Sequence, residues 1–549
     1  MLLVFLFLIY IVKVYSLGRA FYIDDPSSYI NIAISDSVII FLCFSIYYSS
    51  TLFNQWISKL LKLLIFLISL FYILDLLIIY TFNSRFYLDD IGKYLTNLEL
   101  DVVKPFYVLL ISCFLYFGLT FCIRENNNLK RVWFKIITSL LLMVVASLYS
   151  VDSSVRSPFF KNYILVNLSI TYKAEYSDEF VKSFSYVNDE QCGKISTKIP
   201  KNIVIFLFES WSYYQSEWFG GDKNWTPQLD KLAKENISYN NFYANGFTTE
   251  AGLYALFTGD ILIPYKVGYG TDGAVGLNSI GYSSSLPNRF SKLGYITKFI
   301  TSGDLNFLNK RSWLKSLGFE RIMGNEIFDK KERKFLFDSV SDEMLYTKVN
   351  DLINDDNNNF IVVENVNTHQ PYYYPDNGEV KISEEFAFKY ADKQLSKAVH
   401  SLSEPDTMIV VMSDHRAMTP ITEKEKSDSG RMAASKVPMF IVWKNKNITV
   451  ENVLQQTDVL PSILNMIDGH QCISSSRGAI LPTNNIADSK CVYYARGDER
   501  SKVSVMCDNN QFDVLLDGDD TRVLEKGTFE YKSVDYLNMI RIKNDQGIR

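Results

Sequence analysis

An α/β protein behind a membrane-embedded N-terminal part is the fold class this sequence predicts, on three observations. Between Lys201 and Lys490, short β-branched runs alternate with helix-like stretches, the pattern of a mostly parallel sheet covered by helices. Upstream of Ser150, long apolar runs carry few charges. After Lys490, short strands separated by polar turns predict a small antiparallel extension. A chain of 549 residues is too long for one ordinary domain. The predicted division is 1–150 for a transmembrane domain of about five helices, 151–200 for a juxtamembrane linker, 201–489 for the α/β domain and 490–549 for the β-rich extension.

In chain order, the apolar stretches are 2–17, 35–48, 60–82, 105–123 and 132–149. The third and fourth are long enough to cross a hydrocarbon core at about 1.5 Å per residue. The first starts at Met1 and contains Lys13, but no small-residue cleavage site follows, so it reads as a short first span. The loops give an orientation. Arg124, Lys130 and Arg131 lie between the fourth and fifth stretches with Lys135 just inside the fifth, and Lys59 lies between the second and third with Lys62 just inside the third. Asp24-Asp25 and Asp89-Asp90 mark the other two loops. Basic loops face the cytoplasm, which puts everything after Ser150 outside. The stretch Tyr163–Leu168 reads as a segment lying along the bilayer surface.

In the α/β part, the predicted core strands are 202–208, 296–301, 360–366 and 408–412. The predicted helices include 226–235, 251–257, 386–402 and 458–466. Pro227 sits in the first turn of its helix, where a missing N–H costs little. The tail strands are 491–496, 502–507 and 512–516. Net charge is −5, so no basic surface argues for nucleic acid. Cys43, Cys113 and Cys122 lie in apolar runs and read as inert. Cys192, Cys472, Cys491 and Cys507 lack zinc-site spacing. Export permits a disulfide, with Cys491 and Cys507 as the candidate pair and four free thiols as the alternative.

Ligands of open parallel sheets gather beyond the carboxyl ends of the strands. Glu209 follows one predicted strand, Thr368-His369 a second and Asp414-His415 a third. Glu209, Asp414 and His415 offer two hard oxygens and an imidazole, a set suited to Mn²⁺, Zn²⁺ or Mg²⁺. A hydroxyl ligand would become a nucleophile at neutral pH. Thr249, opening a helix before Ala251-Gly252-Leu253, is the candidate, Thr248 is the rival, and either also suits a helix cap. Of four histidines, His369 is the candidate proton donor or substrate contact, with a loop hydrogen bond as the bland alternative. His400 and His470 read as structural. Lys310, Arg311 and Arg416 are candidate phosphate contacts, against a solvated charge for each.

Taken in order, these segments resemble the alkaline phosphatase–sulfatase superfamily, and within it the membrane-anchored phosphoglycerol transferases that include lipoteichoic acid synthases. The residues carrying the resemblance are Phe208-Glu209-Ser210, Thr226-Pro227, Gly246 through Gly252, Phe307 with Leu314 through Phe319, Thr368-His369-Gln370-Pro371 and Ser413 through Met418. The resemblance implies a sulfatase-like α/β/α sandwich. It implies one divalent metal, Mn²⁺ before Zn²⁺ or Mg²⁺, on Glu209, Thr249, Asp414 and His415. Thr249 would attack phosphatidylglycerol, diacylglycerol would leave, and a glycan or glycolipid hydroxyl would take the phosphoglycerol. His369 would contact substrate. The substrate-binding arginine of the synthases falls nearest Lys310, beside Arg311. The expected place is a bacterial inner membrane, multi-pass, with the catalytic domain on the outer side. A phosphoethanolamine transferase and a sulfatase- or phosphodiesterase-type hydrolase are the enzymatic alternatives. The non-enzymatic one is a membrane sensor with a degenerate site, which would lack a metal ligand.

Overall fold

The computed structural model describes residues 10–17, 26–82, 85–86, 88, 111, 129–152, 161–168, 177–183, 190–263, 277, 282, 284–353, 357–444, 446–474, 476–481, 490–495, 502–508, 510–517, 519–523 and 531–546. Two compact units result: Met1–Thr171 with Thr419–Ile421, and Tyr172–Met418 with Thr422–Arg549.

The first unit is helical. Residues 10–17 are a helix, followed by α1 (Pro26–Ser50), α2 (Gln55–Phe82) and α3 (Leu129–Asp152). Two windows, Tyr29–Ser50 and Gln55–Tyr80, are long and apolar enough to cross a membrane. They contain the expected stretch 35–48 and most of 60–82; the stretch 105–123 and Cys113 and Cys122 lie outside the described residues. Helix α3 covers the fifth expected stretch and leaves Trp133, Phe134, Ile137 and Leu141 exposed. Polar groups inside an apolar unit must be paired. Lys13 Nζ meets Asp36 Oδ1 at 2.6 Å, and Arg85 Nη2 meets Asp75 Oδ2 at 2.7 Å, all four side chains fully buried. Both cations also donate to the Lys161 carbonyl, at 3.3 and 2.8 Å. Asn162 donates to the Ser35 hydroxyl and carbonyl, which holds the start of the helix Tyr163–Leu168.

The second unit is built on an eight-stranded sheet. Its strands are β1 (Asn202–Leu207), β2 (Ile237–Tyr239), β3 (Tyr295–Thr301), β4 (Arg321–Met323), β5 (Asn358–Glu364), β6 (Thr407–Met412), β7 (Met439–Val442) and β8 (Ile448–Val450). Their spatial order is β8-β2-β7-β6-β1-β5-β3-β4. All neighbours pair in parallel except across β7, which runs antiparallel to both β6 and β2, so the sheet is mixed. The central strands are buried on both faces, and period-two alternation splits them between two cores. Ile203, Ile205 and Leu207 pack with α5 (Thr249–Thr258), α6 (Leu286–Lys292), α7 (Lys310–Ser316) and α10 (Gln456–Ile467). Val204, Phe206 and Phe208 pack with α4 (Pro227–Glu235), α8 (Asp342–Ile353) and α9 (Glu384–Leu402). That is the helix-covered sheet expected from the alternating pattern, in the three layers that the resemblance implies.

The tail forms a four-stranded antiparallel sheet of β9 (Cys491–Ala495), β10 (Lys502–Cys507), β11 (Asn510–Asp517) and β12 (Asp520–Val523). A helix, α11 (Tyr531–Gln546), follows it and buries Tyr536, Leu537 and Ile540 on the sheet. The β-rich extension expected at 490–549 thus carries a helix that the sequence reading did not name. The i, i+1, i+4 spacing of those residues carries the helical signal, and the charged residues around them dilute it.

Cys491 pairs with Cys507, as the candidate pairing expected. A second bridge was not anticipated: Cys192 pairs with Cys472, joining the edge strand Gln191–Lys194 to His470–Ile473. The 280-residue separation hid it from a reading of spacing. Closing so long a loop restricts the unfolded chain strongly, by up to about 5 kcal/mol. Replacing both Cys192 and Cys472 by Ser is therefore expected to lower stability by roughly 2–5 kcal/mol. A denaturant titration that finds no loss would show that the pair is reduced in the folded protein.

Candidate active site

Three strand ends lie side by side. Leu207, the last residue of β1, stands opposite Met412 of β6 on one side and Glu364 of β5 on the other. The chain just beyond each end supplies Glu209, Asp414-His415 and Asn365. Thr249 arrives separately, as the first residue of α5. Thr248 is its N-cap and accepts a hydrogen bond from the Ala251 amide at 3.4 Å. Thus one threonine caps and the next presents its hydroxyl to the cluster.

The polar atoms converge tightly. Ligand atoms of Glu209, Asp414 and His415 all lie within 4.8 Å of one another. Thr249 Oγ1 is 3.3 Å from Glu209 Oε2 and 3.3 Å from His415 Nε2. His415 Nε2 is 3.3 Å from Glu209 Oε1 and 3.4 Å from Asp414 Oδ2. Glu209, Asp414 and His415 are buried. Such a concentration of charge is costly without a counter-charge.

Backbone and side-chain bonds fix each group. Asp414 Oδ1 accepts from the Ser210 and His415 amides, both at 2.9 Å. His415 Nδ1 lies 2.8 Å from the Arg416 carbonyl, an acceptor only, so Nδ1 carries the hydrogen and Nε2 faces the carboxylates. Ser210, at φ 60°, donates its hydroxyl to Glu209 Oε1 at 2.8 Å. Asp414 Oδ2 is buried and has no hydrogen-bond partner. An unpaired buried carboxylate oxygen, a second carboxylate, an imidazole nitrogen and a hydroxyl facing one point fit a divalent cation.

Electrostatics agree. Burial alone would lower the His415 imidazole, but Asp414 and Glu209 outweigh it and push it up to about 10. Burial and the neighbouring Glu209 charge hold Asp414 well above the usual carboxylate range. Glu209 goes the other way: burial would raise it, yet His415 pulls it below its ordinary value. With no metal bound, the cluster thus meets its carboxylates with an imidazolium.

Helix α5 must approach this cluster closely. A Cβ on Gly252 would stand 2.1 Å from the Asp414 carbonyl oxygen, a backbone atom with no flexible end to move. Gly252→Ala is expected to cost about 1–3 kcal/mol through overpacking and to weaken metal binding together with it. Thermal melts with and without metal check both; unchanged metal affinity would separate α5 from the cluster.

Other predicted residues take different roles. His369 Nδ1 is 2.6 Å from the Gln370 carbonyl, and its ring meets Phe337 edge-on at 5.0 Å. Lys310 pairs with Glu364, the pair largely buried. Arg311 binds Glu326 at 2.6 Å and the Ile322 carbonyl at 2.8 Å. Arg416 is buried and forks onto Glu425, with both bonds at 2.8 Å. The guanidiniums of Arg311 and Arg416 are thus engaged in ion pairs within the fold, which charge alone did not reveal.

Two supporting residues escaped the sequence. Asn365 accepts from the Glu209 amide at 2.8 Å and donates to Thr368 Oγ1 at 3.1 Å. It directly follows a strand, the same signal that singled out His369. Gln456, on α10, donates to the Ser413 carbonyl at 3.1 Å and to the Asp414 carbonyl. No local signal marks it.

The model of the sulfatase family matches residues 201–469. A protein of the alkaline phosphatase superfamily from Vibrio parahaemolyticus is 20% identical, covers 69% of this chain and 93% of its own, and superposes with a TM-score of 0.52. The lipoteichoic acid synthase LtaP from Listeria monocytogenes is 18% identical, over 67% of this chain and 95% of its own, at a TM-score of 0.46. The integral membrane lipooligosaccharide phosphoethanolamine transferase A from Neisseria meningitidis is 12% identical, over 79% and 94%, also at 0.46. With the fold and the ordered site segments in agreement, residues 201–469 form a sulfatase-family domain.

Proposed function

We propose that this protein is a metal-dependent phosphoglycerol transferase that moves phosphoglycerol from phosphatidylglycerol to a glycan or glycolipid acceptor. The observation that carries this is the Thr249 hydroxyl, 3.3 Å from both a carboxylate oxygen and the imidazole Nε2 of the cluster. Glu209, Asp414, His415 and Thr249 would hold one divalent metal, Mn²⁺ first and Zn²⁺ or Mg²⁺ as alternatives. When bound, it lowers the hydroxyl's pKa and offsets charge on the phosphate oxygens.

The residues do the rest. Thr249 Oγ attacks phosphorus, and the bond from phosphorus to the diacylglycerol oxygen breaks. His369, through Nε2, gives the leaving oxygen its proton. Phosphoglycerol then stays on Thr249 until an acceptor hydroxyl, giving its proton back to His369 Nε2, attacks phosphorus and frees Thr249 Oγ in the ionised form in which it attacked. The free N–H groups at the start of α5 face the anionic phosphate. Two apolar helices of membrane-crossing length support a lipid donor. The two disulfides support a catalytic unit outside the cytoplasm of a bacterial inner membrane, on a multi-pass chain. Those same disulfides keep a phosphoethanolamine donor as a second reading, since cysteine-linked soluble domains are usual in that group.

The test is incubation of the full chain with Mn²⁺ and fluorescent phosphatidylglycerol or phosphatidylethanolamine, reading labelled diacylglycerol. Release from phosphatidylglycerol alone is expected. Release only from phosphatidylethanolamine selects the second reading, and release from neither overturns both.

A further inference from the structure

One largely buried ion pair stands at the strand ends that carry the metal cluster. Glu364 ends β5 and stands in register with Leu207, two residues before Glu209. The next residue, Asn365, holds the Glu209 amide at 2.8 Å. Lys310, the first residue of α7, reaches Glu364, with side chains only 13% and 4% exposed, and lies 5.8 Å from the centre of the Phe299 ring. The ammonium that sequence reading offered to a phosphate is therefore already matched by a carboxylate.

The surroundings are acidic. Burial would lower Lys310, but Glu364, Glu250 and Glu209 together raise it, so it remains a cation. Glu364 is raised by burial and drawn back by Lys310, with Glu209 and Glu250 acting against it. Glu250 directly follows the nucleophile. Setting Glu209 aside with the metal cluster, the Lys310 ammonium is matched by the Glu364 carboxylate, and the Glu250 charge acts on both. A substrate with a second negative charge would meet repulsion there, while a singly charged phosphate carrying a neutral or cationic group would not.

We propose that Glu364 is a specificity-determining residue: by neutralising Lys310 beside Glu209, it makes the site select monoanionic phosphodiesters over dianionic phosphomonoesters. The inference rests on the transfer chemistry proposed above. It adds the charge state of the substrate that the site accepts. Lys310 acts as the partner that keeps the Glu364 carboxylate in place.

Steady-state kinetics of the full chain with Mn²⁺ test this, using bis(p-nitrophenyl) phosphate as the monoanion and p-nitrophenyl phosphate as the dianion. Wild type is expected to favour the diester. Glu364→Gln frees the ammonium and is expected to shift the kcat/KM ratio toward the monoester by about tenfold, mostly through KM. Inhibition by inorganic phosphate should tighten in parallel. Lys310→Met removes the cation and is expected to move the ratio the other way. An unchanged ratio in Glu364→Gln with the diester still cleaved, or equal losses on both esters, overturns the role of Glu364. No cleavage of the diester by wild type overturns the transfer reading instead.

Discussion

Thr249→Ala is expected to lower turnover of the lipid donor by on the order of 10³-fold or more, because it removes the protein atom proposed to attack the phosphorus of that donor. The metal should stay, held by the two carboxylates and the imidazole, which are anchored independently of Thr249. Asp414 hangs on two backbone amides and His415 on the Arg416 carbonyl. Metal content of the purified variant and diacylglycerol release check the two halves of this expectation. Thr249→Ser keeps the hydroxyl and should retain part of the rate. Thr248→Ala is the matched control. It removes the cap bond to Ala251 and is expected to cost about 1 kcal/mol of stability while leaving the chemistry in place. If Thr248→Ala abolished transfer and Thr249→Ala did not, the roles of the two threonines would have to be exchanged.

The sheet and the cluster were legible because both write themselves in short range. Strands buried on both faces leave continuous apolar runs, as in Ile203–Val204–Ile205–Phe206, and a ligand placed just beyond such a run keeps a fixed offset. That is how Glu209, Asp414 and His415 could be read together. What stayed hidden depends on distant partners. Arg416 looked like a free cation until Glu425 was seen to hold it, and Lys310 likewise until Glu364 was seen. The Cys192–Cys472 bridge and the Gln456 contact to Asp414 join segments that no periodicity links. The antiparallel β7 was missed because four residues, Met439–Val442, carry no signal of direction; only pairing with β6 sets it.

Asp414→Asn should weaken metal binding by at least about 100-fold while leaving the fold intact, a separation that follows from the two oxygens of this side chain. Oδ1 accepts from the Ser210 and His415 amides, and an asparagine carbonyl can do the same. Oδ2 is the buried oxygen with no hydrogen-bond partner; an amide there brings hydrogens to the place of the cation. Asp414→Ala is different, since it leaves two buried amides unpaired at about 1–3 kcal/mol each and is expected to destabilise the protein as well. Charge adds a pH signature. In the metal-free protein His415 is raised from 6.5 to about 10, with burial opposing and Asp414 the largest favourable cause. A raised imidazole stabilises the metal-free fold below its unfolded value, and that contribution fades as pH climbs toward about 10. Metal binding must displace this proton, so apparent affinity should fall by up to about tenfold for each pH unit between 8 and 6. Without the Asp414 charge the imidazole titrates lower, and the slope in Asp414→Asn should flatten over the same range. Calorimetric titration with Mn²⁺ and Zn²⁺ at several pH values reads both effects. Wild-type affinity with an unaltered slope in Asp414→Asn would mean that the cation sits elsewhere.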